Sequence, residues 1–231
     1  ENFEEIFEDL IIEVNINFEF VEQELGDSSL QLYSIDEIQI DYWKTYIFSP
    51  KSYVKLPFKS KYLVNIQNDK KYTDDCFALC IAAHKHPAKD HPNRISNYIP
   101  YLHELNFGDI KQPIDVKDIP KFEKLNKMRI DVFRLEQVGK DETKRDSWII
   151  NPFIISKSNE EDEVSLILYE NHWILITNFQ GFALPQVSNA HIKGQHVCKR
   201  CFHVSKNESS REKHFRLCVL NQPARVIMPK K

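Results

Sequence analysis

Thr73-Asp74-Asp75-Cys76-Phe77-Ala78-Leu79-Cys80-Ile81-Ala82-Ala83-His84 is the stretch on which the reading of this chain turns. Thr73, Asp74 and Asp75 carry short side-chain oxygens able to accept from the free N–H groups of a first helical turn, so a helix is expected to start here. Phe77, Ala78, Leu79, Ile81, Ala82 and Ala83 make it apolar nearly all round, as in a core helix rather than a surface one. Cys76 then falls in the first turn, where free N–H groups and the helix dipole favour a thiolate. Two readings follow. Cys76 is either an activated nucleophile at the head of a buried helix or a small apolar core residue.

Composition narrows the choice. The 231 residues are 42% hydrophobic and 28% charged with a net charge of −3, so no global basic field draws nucleic acid. Five glycines, with neither G-x-G-x-x-G nor a Walker A loop, exclude phosphate-cradling nucleotide sites. No apolar run approaches the roughly twenty residues that cross a bilayer, so no membrane partner is expected. The sequence opens on Glu1 with no visible signal peptide and is expected to be a processed piece of something longer. Cys76, Cys80, Cys198, Cys201 and Cys218 form a pair and a triplet. An odd count so arranged predicts an intracellular, reducing compartment, cytoplasm or nucleus, where thiols serve metal or catalysis.

Around the central stretch the pattern alternates between helix and strand. Residues 2–25 repeat apolar side chains at helical spacing, and residues 29–48 alternate as strands. Tyr62–Ile66 reads as a strand, Asp118–Asn126 as a short helix with Pro120 near its start, and Arg129–Leu135 as a strand. Trp148–Ser156 follows as a strand interrupted at Pro152. Val164–Tyr169 and His172–Asn178 pair as a hairpin across Glu170-Asn171. Residues 180–195 read as loop. The expected fold class is α+β, a central helix on an antiparallel sheet over residues 1–190, then a small zinc-finger module over 191–222 and a basic tail over 223–231.

Cys198-x2-Cys201-x12-His214-x3-Cys218 has C2HC zinc-finger spacing. Two thiolates on a knuckle and a His/Cys pair one helical turn apart converge on one tetrahedral ion, leaving no open position, so the expected Zn2+ is structural. Lys199, Arg200, Lys206, Arg211, Lys213 and Arg216 make the module locally basic, which allows phosphate contact.

Several pieces carry a family resemblance: Tyr53-Val54-Lys55-Leu56-Pro57, Val64-Asn65-Ile66-Gln67-Asn68, Cys76-Phe77 running to His86-Pro87, Leu105 to Ile110, Pro120 to Lys124, His172-Trp173 to Asn178-Phe179, and the finger with Met228-Pro229-Lys230-Lys231. In that order the chain resembles the region preceding the exonuclease–polymerase part of protein-primed family B DNA polymerases of Maverick/Polinton-type mobile elements, over roughly residues 45–231. The polymerase's own carboxylate motifs are absent, so the resemblance implies an N-terminal accessory domain. It departs from the family in a longer Asn68–Cys76 loop and in Leu79, where the family often carries tryptophan.

Papain-like enzymes keep their cysteine at the start of a buried helix and their histidine on a later strand. On that architecture Cys76 is the expected nucleophile and His172 its base, facing each other across a solvent-reachable groove. Asn68 is the expected oxyanion donor, and Asn178 the third member, with Glu170 and Asn189 as rivals. The implied activity is that of a ubiquitin-directed cysteine peptidase, echoing herpesvirus tegument-type deubiquitinases at the level of fold. The alternative is a non-catalytic accessory domain that meets DNA or the downstream polymerase through the finger. A metal site built from His84, His86 and His91 is a third option.

Overall fold

Helix α1, Cys76–Lys85, forms where the apolar run places it, and Cys76 through Ala83 are all buried. In this computed structural model residues 53–139, 141, 147–187, 194–220 and 222–223 are described. Contacts divide the chain into Glu1–Thr45 and Tyr46–Lys231, so finger and sheet fall in one unit. The helix and strands expected over 2–25 and 29–48 lie outside the described residues. Asp75 holds the N-cap position of α1 without a capping side-chain bond. Asp69 instead caps the 3-10 turn Lys70–Tyr72 just upstream, its Oδ1 accepting from Lys71 N at 2.9 Å.

A helix buried all round needs cover on every side. One side packs on a five-stranded sheet of Leu63–Val64 (β1), Arg129–Gln137 (β2), Trp148–Ile154 (β3), Glu163–Tyr169 (β4) and His172–Ile176 (β5), ordered β1-β5-β4-β2-β3. The other side meets the 3-10 segments Ile95–Asn97 and Ile99–Glu104 and the short helix α2, Ile119–Asn126. Phe77 joins the layers, its ring 5.3 Å from that of Trp173 on β5 and 5.0 Å from that of Phe122 on α2.

The sheet is mixed and not antiparallel as expected. β2 and β4 run parallel, from Arg129↔Glu163 to Arg134↔Leu168. The reason is chain order: β3 folds back along one flank of β2, and the chain must cross over to reach the other flank. Pro152 is tolerated inside β3 because this is an edge strand, opposite a register shift between Val132 and Phe133. The β4–β5 hairpin turns through Glu170 and Asn171 at φ 47° and 62°, the two left-handed residues of a type I′ turn.

Both faces of the sheet are covered. Ile130, Val132, Leu166 and Trp173 join the α1 core, whereas Phe133, Ile167, Ile174 and Ile176 join a second core on the opposite face. That second core rests on a helix where a loop was expected, α3, Phe179–Val187. Gly181 and Pro185 disguise it in the sequence. Buried Phe179, Phe182 and Ala183 hold it on the sheet, and Asn178 Oδ1 accepts from Gly181 N at 2.8 Å to cap its start. The terminal segment adds His196–Val197 (β6), Val204–Ser205 (β7) and Glu208–Cys218 (α4). Val197 and Phe202 are buried in the same second core.

Candidate active site and metal centre

α1 carries two cysteines on the side that meets Trp173 of β5. Cys76 and Cys80 stand one turn apart; Cys80 Sγ donates to Trp173 O at 3.4 Å, and the backbone of Trp173 is among the groups that favour the charged form of Cys76. The nucleophile candidate thus lies against the residue that follows His172. Burial pushes the Cys76 thiol up to about 11, and the N–H groups of Trp173, Phe77 and Cys76 itself only partly oppose it. The thiolate expected from a first-turn position is therefore not the resting form, because desolvation outweighs the helix terminus. Nor is there the expected open groove: Cys76 is 2% exposed and His172 0%.

The partner of His172 is Asn65, which sequence reasoning missed. Asn65 Nδ2 donates to Val54 O at 2.9 Å, and that carbonyl can only accept. Asn65 Oδ1 must then face His172 Nε2, at 2.9 Å, and must accept from it. The chain of donors places a hydrogen on Nε2 of His172. Asn65 N itself donates to Asn93 Oδ1 at 3.1 Å, so the amide is anchored from both ends. The signal that could have found it is the stretch Val64-Asn65-Ile66 at the end of β1, where an asparagine stands between buried apolar side chains.

Asn178 is corrected: it lies past the far end of β5 and caps α3, as extended strand geometry requires at that separation. Asn68 is corrected as well, since its Nδ2 donates to Tyr72 O at 3.0 Å, a carbonyl that also receives Asp75 N at 3.2 Å. That pair ties the loop to the start of α1, leaving Asn68 a bracing residue. Glu170 is spent in the hairpin turn, and Asn189 lies outside the described residues. His84 pairs with Asp162 at 2.7 Å and His86 with Glu104 at 2.7 Å. Among the described residues these histidines build no metal cluster.

The four finger residues do converge. One ligand atom each from Cys198, Cys201, His214 and Cys218 lies within 4.8 Å of the others. Cys198 Sγ and Cys218 Sγ are 3.8 Å apart, the edge of a tetrahedron with Zn–S bonds of roughly 2.3 Å. Cys201 Sγ and His214 Nε2 are 3.2 Å apart. Phe202 at φ 63° turns the knuckle, its N–H returning to Cys198 O at 2.8 Å. Burial pushes the Cys201 thiol up to about 12, with Cys198 and Cys218 adding to it. Burial, then His203, holds His214 down, in the neutral form a metal ligand needs. The set fits a closed, structural zinc site.

Lys199, expected as surface charge for phosphate, points inward instead. Its Nζ meets Asp131 Oδ2 at 3.0 Å and Ser165 Oγ at 2.7 Å, and it bonds Glu163 as well; Arg129 Nη2 flanks Asp131 at 3.5 Å. Asp131 is fully buried, and its other oxygen accepts from Ser156 N at 3.0 Å. Gln180 on α3 clamps Val197 through both its C=O and its N–H, at 2.7 and 3.1 Å. The finger is thus keyed into the sheet. Among the described residues no helix is long and apolar enough to cross a membrane. Comparisons with protein-family models, curated proteins and solved structures return no match.

Proposed function

We propose that the chain is a thiol peptidase domain of papain-like arrangement, with Cys76 as nucleophile, His172 as base and Asn65 as the group that orients it. What supports this reading is the order of the elements, a cysteine heading a buried helix and a histidine opening a later strand, together with the amide of Asn65 that orients His172, Oδ1 to Nε2 at 2.9 Å. In the reaction Nδ1 takes the thiol proton as sulfur attacks the substrate carbonyl carbon. The C–N bond breaks, the imidazolium returns the proton to the leaving amine, and a water deprotonated by the same nitrogen releases the acyl group from sulfur. First-turn N–H groups of α1 favour the charge that develops on the carbonyl oxygen. Zinc supplies no chemistry here beyond holding four ligands together.

Ubiquitin as substrate, and a setting in a mobile-element polymerase, come from the family resemblance. With both groups buried, the resting site is closed, and Tyr53, whose ring stands edge-on to His172 at 6.3 Å, is the cover to be displaced. Ubiquitin bearing a C-terminal electrophile is expected to label wild type and to spare Cys76→Ala and His172→Ala. Equal labelling of the Cys76→Ala protein, or none of wild type, refutes the proposal.

That same burial favours a second reading, a non-catalytic accessory domain that docks DNA or a polymerase through α4. There Phe215 is 57% and Leu217 68% exposed beside Lys213 and Arg216. Log affinity for duplex DNA then falls linearly with log salt; a flat response removes DNA as the partner.

A further inference from the structure

Beside Asn65 lies an open groove of about 540 Å³, walled by Lys55, Lys59 and Lys61, with Tyr53 and Asn93 at its rim. No Asp or Glu lines it, and none occurs in the sequence from Tyr53 to Asn68, in a chain whose net charge is −3. Two exposed cations elsewhere do pair with carboxylates, Lys117 with Asp115 and Arg211 with Glu208. Among the described residues these three lysines have no carboxylate partner; Lys61 only rests over the Tyr62 ring at 5.1 Å. The floor is apolar, with Leu56, Phe58 and Leu63, and it runs to the asparagine that holds His172. The outward N–H groups of Asn65 and Gln67 are already taken by Asn93. An occupant is therefore held by ammonium groups and apolar contact, and does not extend the sheet by strand addition.

We propose that this groove receives an acidic polypeptide segment, and that substrates of the Cys76–His172 site carry Asp or Glu beside the bond that is cut. The second half rests on the thiol peptidase reading; the first does not. Ammonium groups attract carboxylates and phosphates alike. A polypeptide is favoured because the floor is apolar, offering Leu56, Phe58 and Leu63 to side chains beside the charged ones. One exposed ring, Tyr53, is no platform for successive stacked bases.

The test uses the full chain as Cys76→Ala, so that binding is read without turnover. Fluorescence anisotropy compares a short Asp/Glu-rich peptide, its Asn/Gln isostere, and a thymidine oligonucleotide of similar charge. The acidic peptide is expected to bind about tenfold tighter than its isostere, with the difference lost in Lys55→Glu/Lys59→Glu/Lys61→Glu and in high salt. The three side chains are exposed, so the triple variant should melt with the parent. Equal binding of peptide and isostere overturns the proposal, as does unchanged binding by the triple variant. A tighter, competing oligonucleotide overturns it too, by making the groove a nucleic-acid site. Acid preference without electrophile labelling of Cys76 sinks the peptidase reading and the second half with it but leaves the groove standing, and labelling without acid preference sinks the groove alone.

Discussion

Lys199→Met removes the cation nearest to Asp131, a carboxylate with no solvent exposure. At 3.0 Å the pair's attraction is about 5.5 kcal/mol for an effective dielectric of roughly 20. Part of that is offset because the variant no longer buries the ammonium. Breaking a buried pair by deleting one partner costs about 3–5 kcal/mol. Arg129, at 3.5 Å, and the Ser156 N–H remain, which places the expected loss near the lower end, about 3 kcal/mol. For a chain of this length that is a fall in Tm of roughly 6–12 °C. Urea denaturation followed by tryptophan fluorescence, in saturating zinc and with metal content measured, reads the loss apart from any loss of metal. Lys199→Met/Asp131→Asn leaves no buried charge without its partner and should recover more than half of it. A single variant that loses less than about 1 kcal/mol, or a double variant no better than the single, refutes the view that Lys199 neutralises the sheet interior.

With its thiol at about 11, Cys76 in the resting protein should react with iodoacetamide about a hundredfold more slowly at neutral pH than an ordinary cysteine near 9. A thiol raised on folding favours the folded state below its unfolded value, and that contribution is lost as pH rises. Stability should therefore fall between about pH 9 and pH 11, less steeply in Cys76→Ala, as pH-dependent melting will show. Asn65→Ala strands a buried imidazole N–H and the Val54 carbonyl, and should cost about 2–4 kcal/mol and abolish electrophile labelling. Asn178→Ala removes only the α3 cap, costing about 1 kcal/mol with labelling intact, a contrast readable by melting and mass spectrometry. One zinc per chain is expected by metal analysis. Cys201→Ser should lose it and lower the melting of the whole sheet domain together with the finger.

Local chemistry made some elements legible and hid others. The apolar run after Asp75, the alternation of Arg129–Leu135 and the Glu170-Asn171 turn each carry their own signal, and each forms where expected. The parallel β2–β4 pairing depends on which flank of β2 a later strand reaches, which no single segment encodes. Helix α3 was hidden because Gly181 and Pro185 read as breakers, and the second core overrides them. The convergence of Cys198, Cys201, His214 and Cys218 was readable from spacing alone, since a knuckle and a helical turn are local geometry. Asn65 was not: its partner lies 107 residues away, and strand-to-strand meeting has no sequence period. The inward turn of Lys199 escaped for the same reason, as charge is visible in sequence and direction is not.

The position of Lys199 between two cysteines of the candidate metal site has a consequence for synthesis. Asp131 leaves the ribosome long before residue 199 does, so the nascent sheet closes with a carboxylate inside it and no counter-ion from the tail. Until residues 198–218 have emerged and folded, Arg129 is the cation left beside that carboxylate, so the sheet gains its full electrostatic support only late in translation.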